Sequence, residues 1–133
     1  MPALIDTVAW VRVESGRILC ARSKGKDVFY IPGGKREAGE SDLQTLLREV
    51  EEELAVTLDP ATVVHAGVYE AQAHGHADGV VVRMSCYYGD CEGTPVASNE
   101  IDEVAWFTYA DRPLVAPVDQ VLFDDLHAAG VLA

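Results

Sequence analysis

Three glutamates, Glu49, Glu52 and Glu53, are spaced so that a helix would bring their carboxylates side by side. Residues three and four apart are neighbours on a helix surface, so Glu49 faces both of the others. At about 100° per residue the three share an arc of roughly 100°. The apolar stripe of the same helix, Leu43, Leu46, Leu47, Val50 and Leu54, centres near Leu43, more than about 90° away from them. Between Glu37 and Glu53 seven acids stand against one base, Arg48, which is half of the chain's net charge of −12. Like charges at these spacings repel, and a helix shaped for stability alone would interleave lysines. A hard divalent cation offsets that repulsion, because Mg2+ and Mn2+ take a few carboxylate oxygens together with phosphate oxygens and water. Taken alone, three glutamates at this spacing also describe a solvated acidic helix face.

The wider pattern separates the two readings. Gly34, Glu40 six positions on, and then Arg48-Glu49-Val50-Glu51-Glu52-Glu53 with Val56 resemble the Nudix box, G-x5-E-x7-R-E-U-x-E-E-x-G-U with U apolar. One defined position departs: Ala55 stands where that family has its second glycine. A helix ends there, positive φ is common, and alanine costs about 1 kcal/mol.

The resemblance is most specific over residues 32–56, with the box itself at 34–56, and implies a single Nudix hydrolase domain over residues 1–133. It implies an α/β fold, an α/β/α sandwich with a mixed β-sheet between helices. It also implies Mg2+-dependent hydrolysis, with Mn2+ as a possible substitute, of a diphosphate bond in a nucleoside diphosphate derivative or nucleoside triphosphate. By position, Glu49, Glu52 and Glu53 match the family's metal-binding glutamates, and the carbonyl of Gly33 matches a further ligand of some members. Glu40 and Arg48 match a pair that braces the box, Arg48 being counted with the catalytic set. Glu100, six residues before Trp106, resembles an additional carboxylate that some members aim at the metal, and its neighbour Glu103 is able to replace it. The proton acceptor is then Glu49 or Glu100.

The elements that must position these groups can be read from pattern and punctuation. Ser41 and Gln44 form an S-x-x-Q capping box that starts the central helix. Before it, Ile31-Pro32-Gly33-Gly34 predicts an exposed bend. Strands are expected over residues 5–13, 17–22, 28–31, 63–73, 80–88 and 104–108. The stretch 74–79, with His74 and His76, predicts a hairpin loop, and the stretch 89–98 an irregular exposed segment. Pro117 opens a closing helix whose buried face should hold Val118, Val121, Leu122, Leu126 and Ala129, with Phe123 flanking it and Gly130 at its end.

Charge and composition narrow the partners. Six of the ten basic residues, Arg17, Arg22, Lys24, Lys26, Lys35 and Arg36, directly precede the acidic helix, so phosphates and metal can be held on facing sides. Lys35, Arg22 and Lys24 are the expected substrate contacts, and a solvated role is the alternative for Lys24 and Lys26. A pI near 4.5 opposes binding of duplex nucleic acid. No apolar run is long enough for a membrane span, and the opening Met1-Pro2-Ala3-Leu4-Ile5-Asp6 lacks a basic leader. Cys20, Cys86 and Cys91 predict three buried, reduced thiols and a cytoplasmic setting. Tyr69, Trp106, Phe107 and Tyr109 are aromatics able to stack a base, though strand aromatics also build cores. The expected partner is a small-molecule nucleotide, and a homodimer is possible. A non-catalytic nucleotide sensor on the same fold is the alternative from another class, and an isoprenyl diphosphate isomerase, with Cys86 as its cysteine, a more distant one.

Overall fold

The computed structural model describes residues 3–133. Met1 and Pro2, on which part of the N-terminal reading rests, lie outside them. The elements run β1 (Leu4–Trp10), β2 (Val13–Glu14), β3 (Arg17–Ser23), β4 (Gly33–Lys35), α1 (Asp42–Leu54), β5 (Thr57–Leu58), β6 (Val64–Gln72), β7 (Val81–Tyr88), β8 (Cys91–Glu92), β9 (Ile101–Phe107) and α2 (Pro117–Ala128). One sheet has the order β4-β1-β7-β6 and a second the order β2-β3-β9, with β5 and β8 paired beside them. β1 and β7 are parallel, Leu4 opposite Val81 through Trp10 opposite Tyr87, and every other pair is antiparallel, so the sheet is mixed.

Alternation along β1 shows why both faces need a helix. Val8 and Trp10 pack with Leu46, Val50 and Leu54 of α1, while Ala9 and Val11 pack with Val118, Leu122, Phe123 and Leu126 of α2. Successive strand residues point to opposite faces, so a strand that is apolar at four consecutive positions is buried on both. β3 repeats the pattern, with Leu19 on the α1 side and Ile18 and Cys20 on the α2 side. The chain is thus an α/β/α sandwich.

Several elements differ from their sequence expectation. The Gly33-Gly34 bend is strand β4, antiparallel to β1, because glycines without a Cβ tolerate close backbone approach as readily as a turn. Residues 28–31 form no strand; Phe29 and Tyr30 make isolated bridges to Val115 and Ala21. Residues 89–98 contain β8. On α2 the buried face is Val118, Asp119, Leu122, Phe123 and Leu126, while Val121 and Ala129 are exposed, since the helix turns Asp119 inward to meet the Ile31 N–H. Phe123 is fully buried within the chain. Cys20 and Cys86 are buried free thiols as expected, but Cys91, on a two-stranded edge, is only half-buried. No helix of the described residues is long and apolar enough to cross a membrane.

Both ends of α1 are satisfied. Ser41 Oγ accepts from the Gln44 N–H at 3.2 Å and Gln44 Oε1 accepts from the Ser41 N–H at 2.9 Å, the capping box read from the sequence. At the other end the last carbonyls would be orphaned. The Ala55 N–H takes that of Glu51, the Asn99 amide that of Glu52, the Ser98 N–H that of Glu53 and the Val96 N–H that of Leu54. Ala55 holds the left-handed conformation, φ 56° and ψ 33°, which an alanine adopts at a cost. Ala55→Gly is therefore expected to raise stability by about 1 kcal/mol without moving α1, read as an upward shift of the urea midpoint at unchanged m-value.

Candidate active site

The strand β4 sets the position of the glutamates. A Cβ on Gly33 would lie 2.1 Å from the Val8 carbonyl oxygen, and one on Gly34 would lie 2.5 Å from the carboxylate carbon of Glu49. Without side chains β4 slides between β1 and α1, and the buried face of the helix rotates away from the direction expected. Leu43 is 39% exposed, whereas Thr45 and Glu53 are buried with Leu46, Val50 and Leu54. Glu53 thus faces the core side of the helix rather than solvent, 9% exposed, with its Oε1 accepting from the Gly33 N–H at 3.1 Å.

Burial is the main cause that pushes the Glu53 carboxyl up to about 8; the charges of Glu49, Glu100 and Glu52 add to it and the Gly33 N–H opposes it. Glu49 is also raised, first by burial, with Arg48 pulling it back and Glu52 and Glu100 pushing it up. Glu52 remains the most exposed of the three. Arg48 is the hub that holds this acidic face together. Its Nε and Nη2 donate to the two oxygens of Glu40 at 2.7 and 2.8 Å, its Nη1 to Glu49 at 2.7 Å, and its Nη2 to the Lys35 carbonyl at 3.2 Å. Arg48 holds the Glu40 carboxyl down to about 2, helped by the Glu37 N–H and the Thr45 hydroxyl. One guanidinium thereby joins the end of β4, the loop before α1 and Glu49, the bracing geometry its position implied.

Glu100 reaches the same face because residues 96–99 cap α1. Three consecutive carbonyls at the helix end are taken by Val96, Ser98 and Asn99, and Glu100 follows directly. Its charge acts on both Glu49 and Glu53. Glu103 is instead paired with Arg22, which also binds Asp102, so Arg22 is engaged away from the acidic face. Ser98 and Asn99 are caps of α1 that the sequence reading missed. Their signal was a short polar stretch just before a carboxylate and a strand.

A cavity of about 390 Å3 opens beside these groups. Gly33, Gly34, Lys35 and Glu53 form one wall; Ile5, Ala9, Val82 and Met84 an apolar floor; Lys26, Gln72, His74 and His76 a polar rim. Lys35 is where a substrate contact was expected. Lys24 does not line the cavity, its N–H donating instead to the Glu100 carbonyl at 2.8 Å, while Lys26 does line it. The aromatic at the cavity is Tyr30. Tyr69 donates to Asp125, Tyr109 stacks on His127, Phe107 packs edge-on against Phe29, and Trp106 packs against the α1-side core.

Asp119 is the residue that sequence reasoning passed over. It is fully buried on α2 and lines the cavity; its Oδ1 accepts from the Ile31 N–H at 3.0 Å and its Oδ2 has no partner. Burial pushes its carboxyl up to about 7. A lone acid inside an otherwise apolar helix face was the available signal.

The acidic face fits a divalent cation by donor chemistry. Glu49, Glu52, Glu53 and Glu100 raise one another's cost of ionisation, and Arg48 is already shared with Glu40. Among the described residues no three of them stand as a ready-made metal-holding group.

The NUDIX domain model matches residues 3–126. The solution structure of the E. coli ORF135 protein is 27% identical, with a TM-score of 0.73, and the match covers 96% of this chain and 94% of that one. The MutT protein from Methanosarcina mazei Go1 shares the fold at 20% identity, TM-score 0.75, over 97% of this chain and 96% of that one. An RNA pyrophosphohydrolase of Halorhodospira halophila is 44% identical over 54 residues, 41% of this chain; the match spans 29% of that relative's length.

Two outcomes test the geometry. Gly34→Ala should leave the fold intact and displace the flexible Glu49 carboxylate, lowering hydrolytic turnover at least about tenfold. Gly33→Ala strikes backbone and should destabilise the protein by several kcal/mol, on the order of the larger values for buried strain. Urea denaturation together with turnover separates the two.

Asp119 supplies a pH test. Its folded pKa of about 7 lies above the unfolded value of about 3.9, so the folded state holds the proton more tightly. The stability this contributes is present at low pH and is lost as pH rises from about 4 to about 7. Asp119→Asn keeps the acceptor for Ile31 and removes the titration. Its stability relative to the unaltered protein should improve between pH 5 and pH 8 by on the order of 2 kcal/mol, measured by urea unfolding at both values.

Proposed function

Because this chain belongs to the NUDIX domain family, we propose that it is a pyrophosphohydrolase acting on a small nucleotide, with Mg2+ or Mn2+ held at the acidic face of α1. The observation that carries the proposal is the electrostatic coupling of Glu49, Glu52 and Glu100 to Glu53, which with Lys35 lines one cavity. Glu49, Glu52, Glu53, Glu100 and the Gly33 carbonyl would hold the cation. When bound, the cation offsets phosphate charge and lowers the pKa of its water.

The chain's own residues divide the remaining work. Lys35, projecting from the end of β4, meets a phosphate oxygen and compensates charge as the bond to the leaving phosphate breaks. Arg48 keeps Glu49 in place by holding it against Glu40. Glu49, half-buried and with its carboxyl raised by burial, accepts the proton of the attacking water. Glu100, on the loop anchored to Lys24, is the alternative acceptor. The apolar cavity takes the nucleoside, excluding water from that side, and the unpaired oxygen of Asp119 meets a polar edge of the base.

The similarity to an RNA pyrophosphohydrolase favours a second reading, removal of pyrophosphate from a triphosphorylated RNA end. A net charge of −12 opposes a polyanionic partner and places it second. Phosphate-product release would be measured from nucleoside triphosphates, ADP-ribose, nucleotide sugars, dinucleoside polyphosphates and a 5′-triphosphate RNA oligonucleotide, with Mg2+ or Mn2+. Turnover of one class that is abolished by chelation and lowered about 100-fold or more by Glu52→Gln or Glu53→Gln is the expected result. Of Glu49→Gln and Glu100→Gln, the one that removes the acidic limb of the pH profile identifies the proton acceptor. Full metal-dependent turnover in the Glu53→Gln protein sinks the assignment, and binding without product in the unaltered protein points to a sensor.

A further inference from the structure

Two loops bear the cavity's polar rim. One, residues 24–28, follows β3 and contributes Lys26; the other, residues 73–80, joins β6 to β7 and contributes His74 and His76. Each loop is braced within itself. In the first, the Lys26 N–H donates to the Ser23 carbonyl, Arg22 Nη1 donates to the Lys26 carbonyl, and the Lys24 N–H fixes its base to Glu100. In the second, the Gln72 side chain spans the turn, donating to the Ala77 carbonyl at 2.8 Å and accepting from the Gly79 N–H at 3.0 Å. Among the described residues a single hydrogen bond joins the two loops: His74 Nε2 lies 2.9 Å from Asp27 Oδ1.

We infer that the His74–Asp27 pair is a clasp across the mouth of the cavity, closing over the nucleoside of a bound nucleotide and opening to let it in and out. The inference rests on the cavity being the nucleotide site. Three observations support it. The partners are 47 residues apart in sequence and sit on loops whose neighbouring residues line the same cavity. Each loop has its own short-range hydrogen bonds, which the closed pair steadies and which open more often once the pair is released. The pair is also exposed, Asp27 at 79%, and polar side-chain pairs at exposed positions are weak. A latch that must release at every turnover needs that weakness. The Asp27 carboxyl is held below its usual range by His74, as a closed pair requires.

The test uses the whole chain. His74→Ala, Asp27→Ala and the double variant should each speed hydrogen exchange at the amides of Lys26, His76 and Val80. Each should raise KM for the turned-over nucleotide about two- to fivefold with kcat unchanged, and the double variant should be no worse than either single one. In a second arm, Asp27→Cys with His74→Cys is bridged by a short bifunctional thiol reagent and later released by reductant, the single-cysteine proteins serving as controls for Cys91. Bridging should cut turnover more than tenfold, and reduction should restore it. Unchanged loop exchange in the alanine variants, or equal turnover in the bridged and reduced proteins, overturns the clasp. If the unaltered protein turns over no nucleotide, the hydrolysis reading fails separately. The clasp is then decided by the association rate of α,β-methylene ATP: a slower rate in the bridged protein upholds it, and an equal rate or no binding overturns it.

Discussion

The site depends on one steric constraint, the absence of side chains at Gly33 and Gly34. A strand with a Cβ at either position collides with the Val8 carbonyl or with the Glu49 carboxylate. With glycine at both, β4 pairs with β1 on one edge and packs under α1 with the other. That close approach turns the helix so that Glu53 faces inward and can be met by the Gly33 N–H. Helix rotation, glutamate burial and the wall of the cavity all follow from it. Glycine weakens a strand interior by its entropy and lack of contacts. Here the strand is only three residues long and is held on both sides, so that weakness is tolerated.

Electrostatics then works against the fold at this place and with the chemistry. Four carboxylates repel one another, and burial raises Glu53 to about 8. Arg48 donates to Glu40 and Glu49 and comes only to 3.5 Å of Glu52, while Glu53 has no ion-pair partner among the described residues. A stable apo helix face would not be arranged so. A bound divalent cation would reverse the sign of these interactions, since carboxylates that disfavour each other's charge all favour it. Proteins commonly keep local cost where function needs it. The left-handed Ala55 is a different case: it bears strain at an exposed helix end and is not itself part of the acidic face.

What the sequence made legible follows from which interactions are local. The capping box of α1 depends on a spacing of three residues and is seen in the structure, as is the mixed sheet between helices that the family resemblance implied. The rotation of α1 was not legible, because Leu43 and Glu53 are equally consistent with an amphipathic helix until β4 is known to press on one side. Nor was the role of residues 96–99, since the carbonyls they cap lie more than 40 residues earlier. Arg22 illustrates the same limit: a basic residue in a basic stretch looks free, yet Asp102 and Glu103 arrive beside it through the pairing of β3 with β9. Asp119 was visible as an oddity, an acid on an apolar face, but its meaning required the cavity.

The segment Ile31-Pro32-Gly33 shows how the two helices come to serve one site from opposite faces of the sheet. It has two N–H groups, since Pro32 has none. The Ile31 N–H is taken by Asp119 of α2, the Gly33 N–H by Glu53 of α1, and the Pro32 carbonyl accepts from the Trp10 N–H of β1 at 2.8 Å. Sheet and both helices are therefore fixed to the same three residues. The carboxylate that faces the acidic cluster and the carboxylate that faces the cavity floor share one backbone support. A shift of this segment cannot alter one without altering the other. Proline suits the middle position for the same reason: its fixed φ and missing donor leave the segment with no competing partner, so its two N–H groups are reserved for the buried acids.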